Sequence, residues 1–128
     1  MPPAPRPLDS AGLPEGYPFQ PDWEVTPRQV KRALDAGGPM VLLDVREPAE
    51  LGLAAIAEAV VFPMSEIKSR LVELDQYAED RVVVVCHHGA RSMQVAAFLR
   101  QQGFEEVHSM AGGIDLWSRD IDPEVARY

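Results

Sequence analysis

The sequence predicts an α/β domain in which a mostly parallel sheet carries helices on both faces. Two observations predict it. Beyond residue 22, strand-like apolar runs alternate with helix-like segments about every 15–25 residues, joined by short turns, which is the pattern of strand-helix-strand units. The most apolar run, Val82-Val83-Val84-Val85-Cys86, is β-branched and shows no polar alternation, as expected of a central strand covered on both sides. A chain of 128 residues with 46% hydrophobic content is one domain's worth of material and enough for a core.

Seven of the twelve prolines fall in residues 1–21, so this stretch cannot sustain a helix or a central strand and is expected as an extended leader, either a flexible tail or a strap. The ordered domain is expected over residues 22–128. Thr26-Pro27 is a helix start, a hydroxyl cap followed by proline at the first helical position. Val30, Ala33 and Leu34 then share a face until Gly37-Gly38 stops the helix. Residues 40–45 read as a strand. A short helix near Pro48 is expected to carry Leu51 and Leu53 inward, and residues 59–62 form the next strand, ended by Pro63. Ser65 caps a helix whose Ile67, Leu71 and Leu74 make one buried stripe. After the valine strand, residues 92–102 are helical, with Val95, Phe98 and Leu99 inward and Gly103 in the position of a left-handed cap. Residues 106–110 are the last strand. Gly112-Gly113 makes a turn into a short helix with Ile114, Leu116 and Trp117 in the core, and the residues from Asp122-Pro123 pack as a tail.

Charge and composition exclude several classes of function. The balance of 12 basic against 20 acidic residues gives a net charge of -8, which argues against a nucleic-acid or anionic-membrane binder held by a basic surface. The longest apolar run is far shorter than the ~18 residues of a membrane span. No signal-like apolar segment follows Met1, so the cytoplasm is the expected location. A single cysteine leaves no internal disulfide and no multi-thiolate metal site, and neither metal nor cofactor is expected.

That cysteine opens the most informative segment, Cys86-His87-His88-Gly89-Ala90-Arg91-Ser92, between the buried strand and a helix. The backbone must turn sharply there, with Gly89 free to take a positive φ. Successive amides feeding a helix N-terminus form an anion cradle. The same field, with Arg91 as neighbouring cation, stabilises a thiolate, the nucleophilic form of cysteine. Residues 81–100 contain Arg81, Arg91 and Arg100 and no acid, which suggests a basic mouth on an acidic body, selective for small anions. The competing reading makes Cys86 a plain core residue at a strand end, since free cysteine is often buried. The glycine, the arginine and the helix start favour the reactive one. His87 and His88 are candidate proton donors or pocket walls, and two consecutive side chains are expected to point different ways. The carboxyl ends of strands in such sheets are where sites form, which also marks Asp44 and Arg46.

The segments Leu42-Leu43-Asp44-Val45-Arg46-Glu47-Pro48-Ala49-Glu50, Val82 to Ser92, Ala111-Gly112-Gly113-Ile114-Asp115-Leu116-Trp117-Ser118 and the closing Ile121-Asp122-Pro123-Glu124-Val125-Ala126-Arg127-Tyr128 together resemble single-domain rhodanese-like sulfurtransferases over about residues 23–128. The resemblance implies a three-layer α/β/α domain around a five-stranded sheet. It implies a persulfide on Cys86: the thiolate attacks the outer sulfur of a small anionic donor such as thiosulfate, or of a persulfide, and passes that sulfur to cyanide or a thiol, with a carrier protein a candidate acceptor. The amides of residues 88–92 would surround the persulfide, while Arg91 and Ser92 hold the incoming oxyanion. Asp44 and Arg46 match the family's Asp-x-Arg segment and are expected to brace the site, with a surface ion pair as the alternative. The similar phosphatases place five residues between cysteine and arginine, where this chain has four, so the loop suits sulfur better than phosphate. One departure stands out. Ala55-Ile56-Ala57-Glu58 lacks the histidine and glycine usual in the family, which puts a left-handed turn there in doubt. The competing functions are a catalytically weak module that binds or regulates a partner, and an arsenate reductase or phosphatase.

Overall fold

The structure is a computed structural model and describes residues 6–128; residues 1–5 of the expected leader lie outside the described residues. Five strands, β1 (Glu24–Val25), β2 (Val41–Asp44), β3 (Val60–Val61), β4 (Arg81–Val85) and β5 (Glu106–Met110), form one sheet in the order β1-β5-β4-β2-β3, and every pairing is parallel. The valine strand β4 is central, as its composition predicts. Because successive side chains of a strand point to opposite faces, its residues divide between two cores. Val82, Val84 and Cys86 pack with Leu43, Val95 and Leu99 on one side, while Val83 and Val85 pack with Val30, Leu42, Ile114 and Trp117 on the other.

The helices follow from local signals. Helix α1 (Pro27–Ala36) starts at Thr26, whose hydroxyl accepts from the Gln29 amide while the Gln29 side chain accepts from the Thr26 amide. Gly37 ends it at φ 69°. Helix α2 (Pro48–Leu51) is one turn long, and α4 (Ala90–Gln101) and α5 (Gly113–Asp120) follow the cysteine strand and β5. Helix α4 begins two residues before the expected Ser92, because Gly89 at φ 111° serves as its N-cap.

Some expectations are corrected. The continuous helix from Ser65 is instead a 3-10 turn, Met64–Glu66, and a short α3 (Leu71–Leu74) running into a second 3-10 turn, Asp75–Tyr77. Ser65 makes no capping bond, and the Ser69 hydroxyl donates to the Glu66 carbonyl at 3.2 Å, a local contact that competes with the helical ladder. The predicted stripe survives, since Ile67 and Leu74 are buried. Leu53 does not turn inward: it lies beyond the end of α2, 56% exposed. The Ala55–Glu58 stretch closes through Ala59 N donating to Ile56 O at 3.1 Å, and no described residue other than glycine has a positive φ, so no left-handed turn forms there.

The described part of the leader runs as a strap along the domain. Leu13 is buried against Ala111 and Leu116, with Leu8, Tyr17 and Phe19 around it. Arg28 clasps Asp120 at 2.8 Å and donates to Ser10 O at 2.8 Å, tying strap, α1 and α5 together.

Candidate active site

Strands β2 and β4 are neighbours in register, with Asp44 opposite Val85, so the segments leaving their carboxyl ends emerge side by side. One carries Val45-Arg46-Glu47, the other the cysteine loop. The third wall is the start of α5, whose Ile114 and Asp115 amides donate to the Cys86 and His87 carbonyls at 2.9 and 3.1 Å. Gly113, at φ 59°, lets this happen: a Cβ there would collide with both carbonyls. The Gly-Gly turn therefore braces the loop from behind.

Cys86 is 1% exposed, yet its sulfur is not sealed in hydrocarbon. The Gly89 amide donates to Sγ at 3.0 Å, and the thiol donates to Ser92 Oγ at 3.3 Å. The opening amides of α4 have no partner within the helix and supply partial positive charge at the same end. Ser92 does not face the mouth where an oxyanion would enter. It is fully buried beneath the sulfur, bonded to Gly89 O at 3.1 Å and to the Ser109 hydroxyl at 2.7 Å. Ala90 is exposed at the helix start.

The two histidines do not diverge. Their rings stack at 3.8 Å, and His87 also stacks on Tyr128 at 3.8 Å and 8°, so the last aromatic ring of the tail covers the loop. Burial, then the neighbouring His88, push the His87 pKa down, and its Nε2 is buried without a partner. His87 therefore stands as a neutral wall residue at pH 7, while His88 is exposed. His87, His88 and Asp115 have ligand atoms within 4.8 Å of one another. Arg127 holds Asp115 at 2.8 and 3.2 Å.

Asp44 and Arg46 are not a surface pair. Arg46 is 0% and Asp44 1% exposed, with Nη2 to Oδ2 at 2.8 Å and Nε to Oδ1 at 3.0 Å. Arg46 also donates to Ala54 O at 2.7 Å, Glu50 O at 3.4 Å and the Tyr128 hydroxyl at 3.1 Å, so it holds α2 and the tail around one buried cation. Burial opposes its charge, but the bonds to Asp44 and Tyr128 outweigh this and its pKa is raised.

The expected basic mouth is absent. Arg81 stands at the opposite end of β4 from the cysteine, facing Glu106 at 3.8 Å. Arg100 donates to Val107 O and Asp22 O and lies 4.0 Å over the Trp23 ring. Arg91 alone reaches the site, and it is paired there. Its two terminal nitrogens meet the two Glu50 carboxylate oxygens at 2.6 and 2.7 Å. The Glu47 amide donates to the same carboxylate at 3.0 Å, and the Tyr128 hydroxyl at 3.1 Å. The Arg91 guanidinium, despite partial burial and helped by these bonds, holds the Glu50 pKa at about 2. Sequence reading assigned no role to Glu50, Tyr128 or Ser109. Glu50 lies inside the segment that resembles the family, but nothing local in that segment shows its partner.

A buried cysteine at the end of a central parallel strand, with a glycine turn and helix N-terminus wrapped around its sulfur, defines an α/β domain that presents one thiol to main-chain donors at the carboxyl edge of its sheet. The chain belongs to the family described as Rhodanese-like domain, whose profile matches residues 26–120. It is 36% identical over 103 residues to a protein named Sulfurtransferase of Allochromatium vinosum, covering 80% of this chain and 94% of that one. It is 31% identical over 109 residues to Adenylyltransferase and sulfurtransferase MOCS3-1 of Zea mays, covering 81% of this chain but 23% of the relative. The chain thus spans about a quarter of the length of the first curated relatives it matches. Among solved structures, a rhodanese-related protein of Thermoplasma volcanium superposes with TM-score 0.70 at 29% identity, covering 83% of this chain and 99% of that one. A thiosulfate sulfurtransferase of Pseudomonas aeruginosa superposes with TM-score 0.68 at 26% identity, over 76% of this chain and 19% of that one. No helix among the described residues is long and apolar enough to cross a membrane.

Proposed function

We propose that this protein is a sulfurtransferase that moves sulfane sulfur from thiosulfate or a persulfide to cyanide or a thiol through a persulfide on Cys86. The observation that carries the reading is the Gly89 amide aimed at Sγ at 3.0 Å, at the N-terminus of α4. A persulfide anion needs such donors, fixed in advance and shielded from water. With thiosulfate, the Cys86 thiolate attacks the outer sulfur, the S–S bond of the donor breaks, sulfite leaves with the electron pair, and the enzyme holds Cys–S–S⁻. Cyanide then takes the terminal sulfur as thiocyanate and restores the thiolate. Arg91 is the cation on the sulfur's side of the site, held there by Glu50, while Asp44 and Arg46 position the wall that faces it. This sequence holds no second cysteine, so the acceptor thiol comes from another molecule, small or protein-borne. The cytoplasm is the proposed location.

The 1% exposure of Cys86 favours, as a second reading, a module that docks a partner and turns over slowly. One experiment separates these. After treatment with thiosulfate or a small persulfide, the intact protein gains the mass of one sulfur atom, cyanide removes it as thiocyanate, and Cys86→Ala gains none. A protein that takes up no sulfur from either donor refutes the enzyme reading, and hydrolysis of p-nitrophenyl phosphate in its place assigns a phosphatase.

A further inference from the structure

The charge beside the thiol is set by a carboxylate rather than by the arginine alone. Arg91 presents its end-on fork to Glu50, and two parallel N–H···O bonds of 2.6 and 2.7 Å occupy that one edge, a bidentate grip of the kind a guanidinium offers an oxyanion. The pair is partly sunk, with the two side chains 32% and 21% exposed, so solvent screens it less than a surface pair. The carboxylate cannot swing away freely. The Glu47 amide and the Tyr128 hydroxyl hold its two oxygens, and Arg46 touches the carbonyl of the same residue. The other two arginines of the cysteine segment are engaged elsewhere, Arg81 at the far end of the strand and Arg100 on carbonyls and Trp23. Arg91 and Glu50 therefore cancel, and the thiolate through which the proposed transfer runs meets no uncompensated side-chain cation here.

A dianion such as thiosulfate has to bring two charges to this place. To reach Arg91 it must displace a clamped carboxylate or lie against it, and like-charge juxtaposition is a strong device for rejecting partners. A persulfide on a thiol of low charge meets neither obstacle. We infer that Glu50 is the specificity-determining residue of this site: by occupying Arg91 it turns the protein away from small dianionic donors and toward persulfides whose carrier is uncharged near the transferable sulfur. The inference rests on the sulfurtransferase reading above and narrows its donor class. The transfer is balanced without a further reactant. The Cys86 thiolate attacks the outer sulfur of R–S–SH, the donor S–S bond breaks, the proton passes to the departing sulfur, and the products are Cys86–S–S⁻ and R–SH. Glu50 touches Arg91 and not the reacting sulfur, so it acts as a positioning residue.

The test measures the rate at which Cys86 is loaded with sulfur, by intact mass, using thiosulfate and the persulfide of 2-mercaptoethanol as the two donors. Glu50→Gln keeps the shape and removes the charge. The ratio of the thiosulfate to the persulfide rate constant is expected to rise by about tenfold or more, through tighter thiosulfate binding, while Glu50→Asp keeps the low ratio of the natural chain. A ratio that is unchanged or falls in Glu50→Gln overturns the inference. A second arm needs no variant: sulfate should fail to slow persulfide loading of the natural chain, and clear competition by sulfate overturns the inference even if Glu50→Gln does not fold. If neither donor loads Cys86, the sulfurtransferase reading itself falls and this inference falls with it; loading by both donors with the wrong ratio overturns the inference alone.

Discussion

Asp44→Asn isolates the charge of the buried pair. The side chain keeps its shape, and the Arg46 guanidinium, 0% exposed, loses the carboxylate that accepts from its backbone amide, Nε and Nη2 at 2.8–3.2 Å. The remaining acceptors around it are the Ala54 and Glu50 carbonyls and the Tyr128 hydroxyl, all neutral. Removing one member of a buried ion pair costs ~3–5 kcal/mol, because the charge left behind has neither water nor counter-charge. Against a total stability of ~5–15 kcal/mol for a domain of ordinary size, that is a large share. Urea unfolding at pH 7 should show it as a lower midpoint at unchanged slope, and thermal melting as a fall of roughly 10–20 °C. Glu73→Gln, which breaks the exposed pair with Arg70, is the control and should leave the midpoint nearly where it was. A loss below ~1 kcal/mol in Asp44→Asn would mean that water or a rearranged backbone reaches Arg46, and would refute the argument that this cation is the buried post around which α2 and the tail are arranged.

Gly113→Ala should cost ~2–4 kcal/mol, from a strained positive φ and a methyl group forced onto the Cys86 and His87 carbonyls, and it should slow sulfur loading per folded molecule because the loop must retreat; an alanine variant as stable and as fast as the natural chain would contradict the close approach described. Acid should weaken the fold partly through Glu50. Its folded-state pKa of about 2 lies below the ordinary value of 4.5, so the stabilisation is complete above the unfolded value and is lost as pH falls from about 4.5 toward 2. The contribution is of order 1–3 kcal/mol, and Glu50→Gln should flatten the dependence of the urea midpoint on pH in that window; identical slopes for the two proteins would show that Glu50 is not the titrating group.

Much of the fold is legible because its causes are local. Four consecutive valines mark a strand buried on both faces, and the structure divides them between two cores as a period of two requires. Thr26, Pro27 and Gly37 bracket α1 with chemistry confined to neighbouring residues. The cysteine loop is legible for the same reason: cysteine, glycine and helix start are contiguous. The helix expected from Ser65 fails where the periodic stripe says which side chains are buried but not whether the backbone between them is one helix. Ile67 and Leu74 are buried as expected, on two separate turns. The basic mouth fails for a different reason. Formal charge summed along residues 81–100 belongs to a string, and the fold lays that string along a strand and a helix, so that Arg81 and Arg91 end up at opposite ends of the sheet.

The pairing that governs the site has its cause in strand register. Because β2 and β4 run parallel with Asp44 opposite Val85, whatever follows the one must share an edge with whatever follows the other. Asp44 and Arg46 then root the first segment, Pro48 opens a one-turn helix, and the third residue of that turn, Glu50, is bonded by the Glu47 amide and so fixed where it faces Arg91. Forty-one residues separate the partners in sequence, yet once the two strands are placed side by side little freedom remains in where the carboxylate lies. The surroundings of Cys86 are accordingly shared between two loops. Its own loop supplies the amide and the helix field, while the neighbouring loop supplies the carboxylate that pairs with the arginine.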